Sequence, residues 1–262
     1  MINFNIIPNP ASDIWVVFIH GAGGSIRTWK RQSDALHPYA KLLLIDLRDH
    51  GASLSIDPSP RQYDFELISN DIKEVLDHLK ITKAHFITLS LGTVLIQDLS
   101  LRYPNYIGKL VMAGGIFNGN IMLKCFIQVA KTLNRLLPYV LMYRLCSFIL
   151  MPQKKNRTSR MIYQREAKKL TKEAYIRWVS LSKYFIKLLN LFFKTKSSFE
   201  SLIVMGGQDY VFLNGARKYS KNQPKTTLII IPAVGHICNI EGASVFNSHV
   251  IDFLFKKSIH DK

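Results

Sequence analysis

The 262-residue chain is poor in cysteine, and its few cysteines do not follow the spacing of a ligand set. The three are Cys125, Cys146 and Cys238, and no two of them form a C-x-x-C pair. An odd, sparse set of this kind argues against a disulfide framework and against a zinc site. We therefore expect reduced thiols and no structural metal.

Targeting and membrane-spanning features are also lacking. The first ten residues, MINFNIIPNP, contain neither a basic region nor a long apolar run, so no secretory signal is predicted and a cytoplasmic location is expected. Residues 139–151 are strongly apolar, but they are too few and too close to Pro138 and Pro152 to span a bilayer.

Acidic residues are scarce in one region of the chain. The net charge is +17, yet residues 117–199 hold 17 Lys and Arg against only Glu166 and Glu173, which places +15 in this segment and +2 in the remainder. A block of charges of one sign usually marks a structural unit whose surface has a function of its own. We therefore interpret residues 117–199 as an insertion.

Outside that segment, short apolar runs alternate with amphipathic ones. The runs at 15–19, 42–45, 84–88, 109–113, 202–205 and 227–231 predict buried strands, and residues 2–7 predict an edge strand. Helices are expected at about 25–36, 65–79 and 243–255, and after Gly92. This alternation predicts an α/β fold with a three-layer, mostly parallel sheet. Inside the insertion we expect helices at about 120–137, 139–150, 158–170 and 171–193.

Ser90 lies where a predicted strand meets a predicted helix, in the sequence Thr88-Leu89-Ser90-Leu91-Gly92. A serine in such a turn projects its hydroxyl from the carboxyl edge of the sheet. The amide of Leu91 opens the helix and points the same way, where it could stabilise an oxyanion. Taken alone, however, T-x-S-x-G fits an ordinary helix N-cap better.

Two other polar residues follow predicted strands. Asp209 comes after 202–205 and His236 after 227–231, and ligands in open α/β sheets bind beyond the carboxyl ends of the strands. Taken alone, each residue fits an ordinary structural role: Asp209 as a turn cap and His236 as a hydrogen-bonded loop histidine. The order Ser, Asp, His across three strand ends instead favours a nucleophile with its acid and base.

These motifs resemble the α/β-hydrolase superfamily, and within it the esterase and lipase-like branch. They are HGAGG at 20–24, DLRDHGAS at 46–53, TLSLG at 88–92, GGQD at 206–209 and VGHICNIE at 234–241. Two residues depart from the family pattern: Thr88 stands at the first glycine of G-x-S-x-G, and Asp49 replaces a glycine in D-x-R-G-H-G-x-S. A serine at position 90 argues against the dehalogenase and epoxide hydrolase relatives, which use an aspartate nucleophile.

The resemblance implies a role for each matching residue. Ser90 would be the nucleophile, His236 the general base and then acid, and Asp209 the residue that orients the imidazole. The amides of Ala22 and Leu91 would form the oxyanion hole, and no metal or organic cofactor is implied. Residues 1–116 and 200–262 would form the core domain, and the basic segment 117–199 would correspond to the variable helical cap of the family.

We therefore predict a serine hydrolase that cleaves small-molecule carboxylic esters, with an apolar acyl chain. A thioesterase or a carbon–carbon-bond hydrolase with the same triad is the first alternative. The second is a hydrolase-like protein that Thr88 has disabled and that binds anionic membranes through its basic cap. The charges of this cap either face solvent or contact an anionic membrane, and nucleic acid is not expected because no recognition motif accompanies them.

Overall fold

The computed structural model describes residues 1–55, 63–118, 121–133 and 136–256. Seven strands form one sheet in the order β1-β3-β2-β4-β5-β6-β7, and only the β1–β3 pair is antiparallel. The strands are β1 (Phe4–Ile7), β2 (Trp15–Ile19), β3 (Lys41–Ile45), β4 (Ala84–Leu89), β5 (Ile107–Ala113), β6 (Ser201–Gly206) and β7 (Thr226–Ile231). Every predicted strand is present, and the mostly parallel sheet is confirmed.

Helices flank the sheet in chain order. Those outside the insertion are α1 (Lys30–Leu36), α2 (Phe65–His78), α3 (Leu91–Arg102), α9 (Leu213–Asn222), α10 (Cys238–Glu241) and α11 (Ala243–Phe255). The predicted helix at 25–36 begins as a 3₁₀ turn (Ile26–Trp29) that Ser25 caps, and it continues as α1. Helices α9 and α10 were not predicted.

The side chains of the central strands alternate between two apolar layers, as the pleat of a sheet requires. Val17 and Ile19 pack into one layer with α2, α3, α8 (Ser182–Lys194) and α9, whereas Val16 and Phe18 pack into the other with α1, α10 and α11. All four strand residues are fully buried. The three-layer arrangement predicted from the sequence is therefore confirmed.

The segment between β5 and β6, which we interpret from the sequence as an insertion, is helical in the residues described. Its helices are α4 (Ile121–Leu133), α5 (Tyr139–Leu150), α6 (Arg157–Ala167), α7 (Lys172–Ser180) and α8. Asn120, Asn134 and Arg135, which fall in the predicted 120–137 helix, lie outside the described residues. No helix among the described residues has both the length and the apolarity needed to cross a bilayer.

The prediction of one continuous helix over 171–193 is wrong. Thr171 caps α7 by accepting a hydrogen bond from the amide of Ala174 (3.0 Å), and α7 ends at Ser180. After Leu181, α8 buries Phe185 and Leu189 in the sheet layer that contains α2 and α3. The interruption does not redirect the apolar stripe, because Trp178 and Leu181 pack in the same layer as Phe185.

Candidate active site

Ser90 occupies the turn between β4 and α3 with φ 52° and ψ −117°. Positive φ is uncommon for a residue other than glycine, and such strain costs on the order of 1–3 kcal/mol. The turn is held by the Ser90 amide, which donates to the carbonyl of Ala113 on β5 (2.9 Å), and by Thr93 Oγ1, which donates to the Ser90 carbonyl (2.6 Å). Ser90 therefore lies in a turn between a strand and a helix, as the sequence predicts, and its backbone there is strained.

Thr88 fits at the position where the hydrolase motif has its first glycine. It is fully buried, and its hydroxyl donates to the carbonyl of Val111 on β5 (3.1 Å), so no polar atom of the side chain is left unpaired. Gly92 has no comparable room, because a Cβ there would lie 2.7 Å from the carbonyl oxygen of Ile19. The close approach of β2 thus requires a glycine at position 92 but not at position 88.

His236 lies between Ser90 and Asp209. Its Nδ1 is 2.8 Å from Asp209 Oδ2, and its Nε2 is 2.9 Å from Ser90 Oγ. Since a carboxylate only accepts hydrogen bonds, Nδ1 carries the proton and the lone pair of Nε2 faces the serine hydroxyl. Asp209 is fully buried and is oriented by the amide of Phe212, which donates to Oδ1 (3.0 Å). The three predicted residues are brought into one hydrogen-bonded chain.

Ala22 and Leu91, the two predicted oxyanion donors, border the same cavity as Ser90. Leu91 is the first residue of α3, where backbone amides lack partners within the helix. In residues 1–55, 63–118, 121–133 and 136–256, no acceptor is bonded to the amide of either Ala22 or Leu91. Both amides are therefore available to an oxygen atom of a substrate.

Two buried histidines hold the glycine-rich loop that contains Ala22. His20 Nδ1 donates to the carbonyl of Gly21 (2.7 Å), and His50 Nε2 accepts from the amide of Gly23 (2.9 Å). Burial lowers the pKa of His20 to about 4, and burial together with the neighbouring His20 lowers the pKa of His50 to about 3. Both rings are therefore neutral at pH 7 and serve as fixed hydrogen-bonding groups.

A cavity of ≈ 200 Å³ lies in front of Ser90 and is mostly apolar. The core contributes Ile116, Phe212 and Ile237 to its wall, and the insertion contributes Cys146 and Leu150 from α5 together with residues of α6. Among its described lining residues none is Lys or Arg, and Glu166 is the sole carboxylate. The site therefore presents the Ser90 hydroxyl, the His236 imidazole and two free amides beside a mostly apolar space with one carboxylate in its wall.

Comparison with known families identifies the family of the fold. A family model for the alpha/beta hydrolase fold matches residues 14–243. The chain belongs to the α/β-hydrolase fold family. The resemblance to this superfamily noted from the sequence is thereby confirmed.

Three relatives illustrate the range of this α/β-hydrolase family. A 2-hydroxy-6-oxononadienedioate/2-hydroxy-6-oxononatrienedioate hydrolase of Escherichia coli O81 (strain ED1a) is 27% identical over 92% of this chain and 87% of that protein. The dihydrolipoyllysine-residue acetyltransferase component of an acetoin cleaving system of Pseudomonas putida is 22% identical over 92% of this chain, which spans 63% of that protein. The crystal structure of the enol-lactonase from Burkholderia xenovorans LB400 superposes with a TM-score of 0.76, at 18% identity, over 97% of this chain and 96% of that one.

Helices α6 and α7 of this α/β hydrolase are bonded to two loops that follow strands of the sheet. Glu166 of α6 accepts a hydrogen bond from Ser25 Oγ (2.8 Å) and pairs with Lys169 (2.6 Å). Arg177 of α7 forms two hydrogen bonds to the carboxylate of Asp49 (2.5 and 3.1 Å), and Trp178 Nε1 donates to the carbonyl of Arg48 (3.2 Å). These contacts hold α6 and α7 against the loops that follow β2 and β3.

The contacts of Asp49 explain why an aspartate can replace the glycine of the family motif at this position. It has φ +66°, which glycine would adopt without strain, and its side chain is almost completely buried. Burial alone would raise the pKa of this carboxyl, but hydrogen bonds from Arg177 and from Tyr63 (2.7 Å) outweigh burial and lower it. The charged side chain thus gives Asp49 a role that a glycine could not have. The substitution was visible in the sequence, but its partner Arg177, 128 residues away, was not.

Metal binding finds no support in the described part of the chain. No three or more His, Cys, Asp or Glu side chains are grouped there so that they could hold a metal ion. The described cysteines are free, and Cys238 is buried with its thiol directed at the carbonyl of Val204 (3.3 Å).

Proposed function

We propose that this α/β hydrolase is a cytoplasmic serine hydrolase that cleaves carboxylic esters of uncharged, lipophilic small molecules through an acyl-enzyme. The observation that carries the proposal is the chain of hydrogen bonds from Asp209 through His236 to Ser90 Oγ, at 2.8 and 2.9 Å, in front of an apolar cavity. Its geometry matches the roles of nucleophile, base and orienting acid.

The proposed first step is attack of Ser90 Oγ on the acyl carbon of the ester. His236 Nε2 takes the serine proton as the carbon–oxygen bond forms, and Asp209 stabilises the imidazolium. The negative charge that develops on the carbonyl oxygen is stabilised by the amides of Ala22 and Leu91, and losing one such donor typically costs about 10²–10³ in kcat.

Collapse of this tetrahedral intermediate expels the alcohol, which takes the proton from His236. A water molecule then gives a proton to Nε2 and attacks the acyl carbon, releasing the carboxylic acid and restoring Ser90. Each proton that leaves an oxygen therefore passes through Nε2, and no cofactor enters the reaction scheme.

The size and chemistry of the cavity support the proposed substrate class. Its ≈ 200 Å³ is below the ~300–1,000 Å³ of pockets that hold drug-sized ligands, so short acyl chains fit best. The described lining supplies no cation to neutralise a substrate carboxylate, and burying an unpaired charge is costly. Neutral esters are therefore favoured over anionic substrates.

Carbon–carbon-bond hydrolysis is the second candidate, because the E. coli relative is named a hydrolase of dienedioates, which carry two carboxylates. A lactone is a cyclic ester, so the name of the enol-lactonase accords with ester cleavage. The lack of Lys and Arg in the described lining argues for the ester. A thioester would fit the same apolar space.

We also propose that residues 1–116 and 200–262 form the hydrolase core and that residues 117–199 form a cap. Helices α5 and α6 supply one wall of the cavity and so control access to Ser90. The +15 charge of this segment is further proposed to bring the protein to anionic membranes, to which each basic residue near the surface contributes about 1 kcal/mol.

A fluorophosphonate probe tests the proposed nucleophile. Wild-type protein should gain the mass of one adduct, and Ser90→Ala should gain none. Ser100→Ala, in the helix α3 that follows Ser90, serves as a matched control that should label normally. Labelling that persists in Ser90→Ala would reject the assignment, and a correctly folded wild type that never labels would favour the binding-protein alternative.

Substrate class is tested with a panel of chromogenic esters and thioesters of increasing acyl length and a dienedioate substrate. We expect kcat/KM to be highest for short neutral esters and lower by orders of magnitude for the dianion. A preference for the dianion would replace ester cleavage with carbon–carbon cleavage as the proposed function.

A further inference from the structure

The outer face of α5 is apolar although it is exposed. Leu141, Leu145, Phe148 and Ile149 are each at least 37% exposed, and Phe148 and Ile149 reach 46% and 52%. Their spacing of four, three and one places them on one side of the helix, whereas Tyr143 and Ser147 on the other side are buried. A helix on the surface of a globular protein normally shows the opposite pattern.

A basic groove runs beside this face, between α5 and α6. It encloses ≈ 650 Å³, and Phe148 and Met161 contribute apolar surface to it. Its charged lining residues are all cations, and no carboxylate lines it among the residues described: Arg144, Arg157, Arg160 and Lys168. The groove therefore combines exposed apolar side chains with a single sign of charge.

Among the residues described, no carboxylate compensates the charge of these four cations. Within the described parts of the chain, no carboxylate lies within 4 Å of Arg144, Arg157 or Lys168. Arg160 instead donates to the carbonyl of Met151 (2.5 Å), and its guanidinium lies over the ring of Phe148 at 4.7 Å. Arg160 thus has a structural role, and the other three are available to an external anion.

These features fit an anionic lipid surface better than a macromolecule. An apolar helical face bordered by Lys and Arg is the pattern of helices that lie in the membrane interface. A second copy of this chain would bring like charges together in a symmetric contact. Nucleic acid would pair with the cations but leave Phe148 and Ile149 without apolar partners.

We propose that the outer face of α5 and the basic groove between α5 and α6 dock this protein on anionic phospholipid bilayers. The proposal rests on the membrane contact proposed above and assigns it to one surface. The opposite side of α5 contributes Cys146 and Leu150 to the wall of the active-site cavity. Docking would therefore place the cavity within about one helix diameter, ~10–12 Å, of the lipid from which a lipophilic ester could enter.

Vesicle flotation tests the surface. The full-length protein is mixed with phosphatidylcholine vesicles that contain or lack phosphatidylserine, at low and high salt. Wild type should float with the anionic vesicles at low salt and be released as salt screens the exposed charges. Arg144→Gln/Arg157→Gln/Lys168→Gln should weaken the affinity about 100-fold, since ~1 kcal/mol for each residue corresponds to about fivefold.

A matched control removes the same charge elsewhere. Arg217→Gln/Lys218→Gln/Lys221→Gln alters three exposed residues of α9 and should float almost like wild type. A Phe148→Trp variant should show a blue shift of its added indole emission with anionic vesicles alone, relative to wild type. Hydrolysis of a short, freely dissolved ester should be unchanged in all variants, which shows that each is folded.

The possible outcomes distinguish the assigned docking surface from the membrane contact itself. If the groove and α9 variants lose affinity equally, or if Phe148→Trp shows no shift while bound, the assigned surface is wrong but the membrane contact stands. If wild type binds neutral and anionic vesicles alike, or binds neither, both the contact and the surface are rejected. Neither result affects the ester chemistry, which fluorophosphonate labelling tests separately.

Discussion

Removing Arg177 alone should destabilise the fold more than removing Arg177 together with its partner Asp49. The carboxylate of Asp49 is 1% exposed, and apart from Arg177 the hydrogen bond that the structure shows to it comes from the hydroxyl of Tyr63. Arg177→Met keeps the aliphatic stem and leaves this charge buried without a counter-ion. Breaking a buried ion pair on one side costs about 3–5 kcal/mol. The Arg177 side chain is 23% exposed, so water can reach the site and the lower end, about 3 kcal/mol, is expected.

Asp49→Gly acts in the opposite direction. It removes the buried charge together with its counter-ion requirement, and glycine relieves the positive φ that costs an ordinary residue about 1–2 kcal/mol. The double variant Asp49→Gly/Arg177→Met should therefore be more stable than Arg177→Met alone. We expect a coupling free energy of about 2–3 kcal/mol between the two positions.

Urea and thermal unfolding of the four proteins measure this cycle. Arg177→Met should lower Tm by about 6–12 °C, because 1 kcal/mol shifts Tm by roughly 2–4 °C at this chain length. Arg165→Met, which removes an exposed arginine from α6, is the matched control and should stay within about 0.5 kcal/mol of wild type. The folded pKa of Asp49 is depressed, so the stabilisation should be present above pH 4 and be lost as pH falls through that lowered pKa.

Two results would refute the reasoning. Additive losses in the cycle would mean that the ion pair is not coupled, and a cost below about 1 kcal/mol for Arg177→Met would place the pair among ordinary surface salt bridges. Either result would also remove the explanation offered for an aspartate at a position where the motif has glycine.

Two further predictions concern buried polar side chains. Thr88→Val keeps the shape of the side chain but removes the donor to Val111. The free energy of unfolding should therefore fall by about 1 kcal/mol, while kcat/KM for a short ester stays within tenfold of wild type. Thr88→Gly should also stay active, and a gain of several hundredfold in kcat/KM would show that Thr88 distorts the turn. Folding lowers the pKa values of His20 and His50 to about 4 and 3. Below pH 6.5 the unfolded chain therefore binds more protons than the folded protein does. Stability should therefore decrease as pH falls from 6.5 toward 4, and a flat denaturation profile from pH 6.5 to 5 would contradict this.

Local patterns in the sequence were sufficient to predict the sheet. Strands such as β2 are short, continuous apolar runs because both faces are covered, and in a parallel sheet that pattern is distinctive. The positions of Ser90, Asp209 and His236 followed from the same pattern, since each lies just beyond a strand end. Helix α9 was missed because it buries only Gly215, Ala216 and Tyr219, too few apolar residues to form a visible stripe.

Contacts between distant residues were not predictable in this way. The helical period continues through 171–193, and Trp178, Leu181 and Phe185 all belong to one apolar cluster, so the pattern contains no sign of the interruption at Leu181. The pairs Asp49–Arg177 and Ser25–Glu166 join residues 128 and 141 positions apart. A single sequence contains no signal that pairs one of several arginines with one particular aspartate.

The partners that hold the turn at Ser90 all belong to the core. Its amide is bonded to β5, the hydroxyl of Thr93 holds its carbonyl, and Gly92 lets α3 begin against the backbone of β2. The insertion instead supplies part of the cavity wall through Cys146 and Leu150. The strained backbone is thus maintained without help from α5 or α6, and the proposed nucleophile is formed whether or not those helices shift. We therefore expect substitutions in α5 and α6 to act on substrate size and on access from a lipid surface, and substitutions at the turn to act on the chemical step itself.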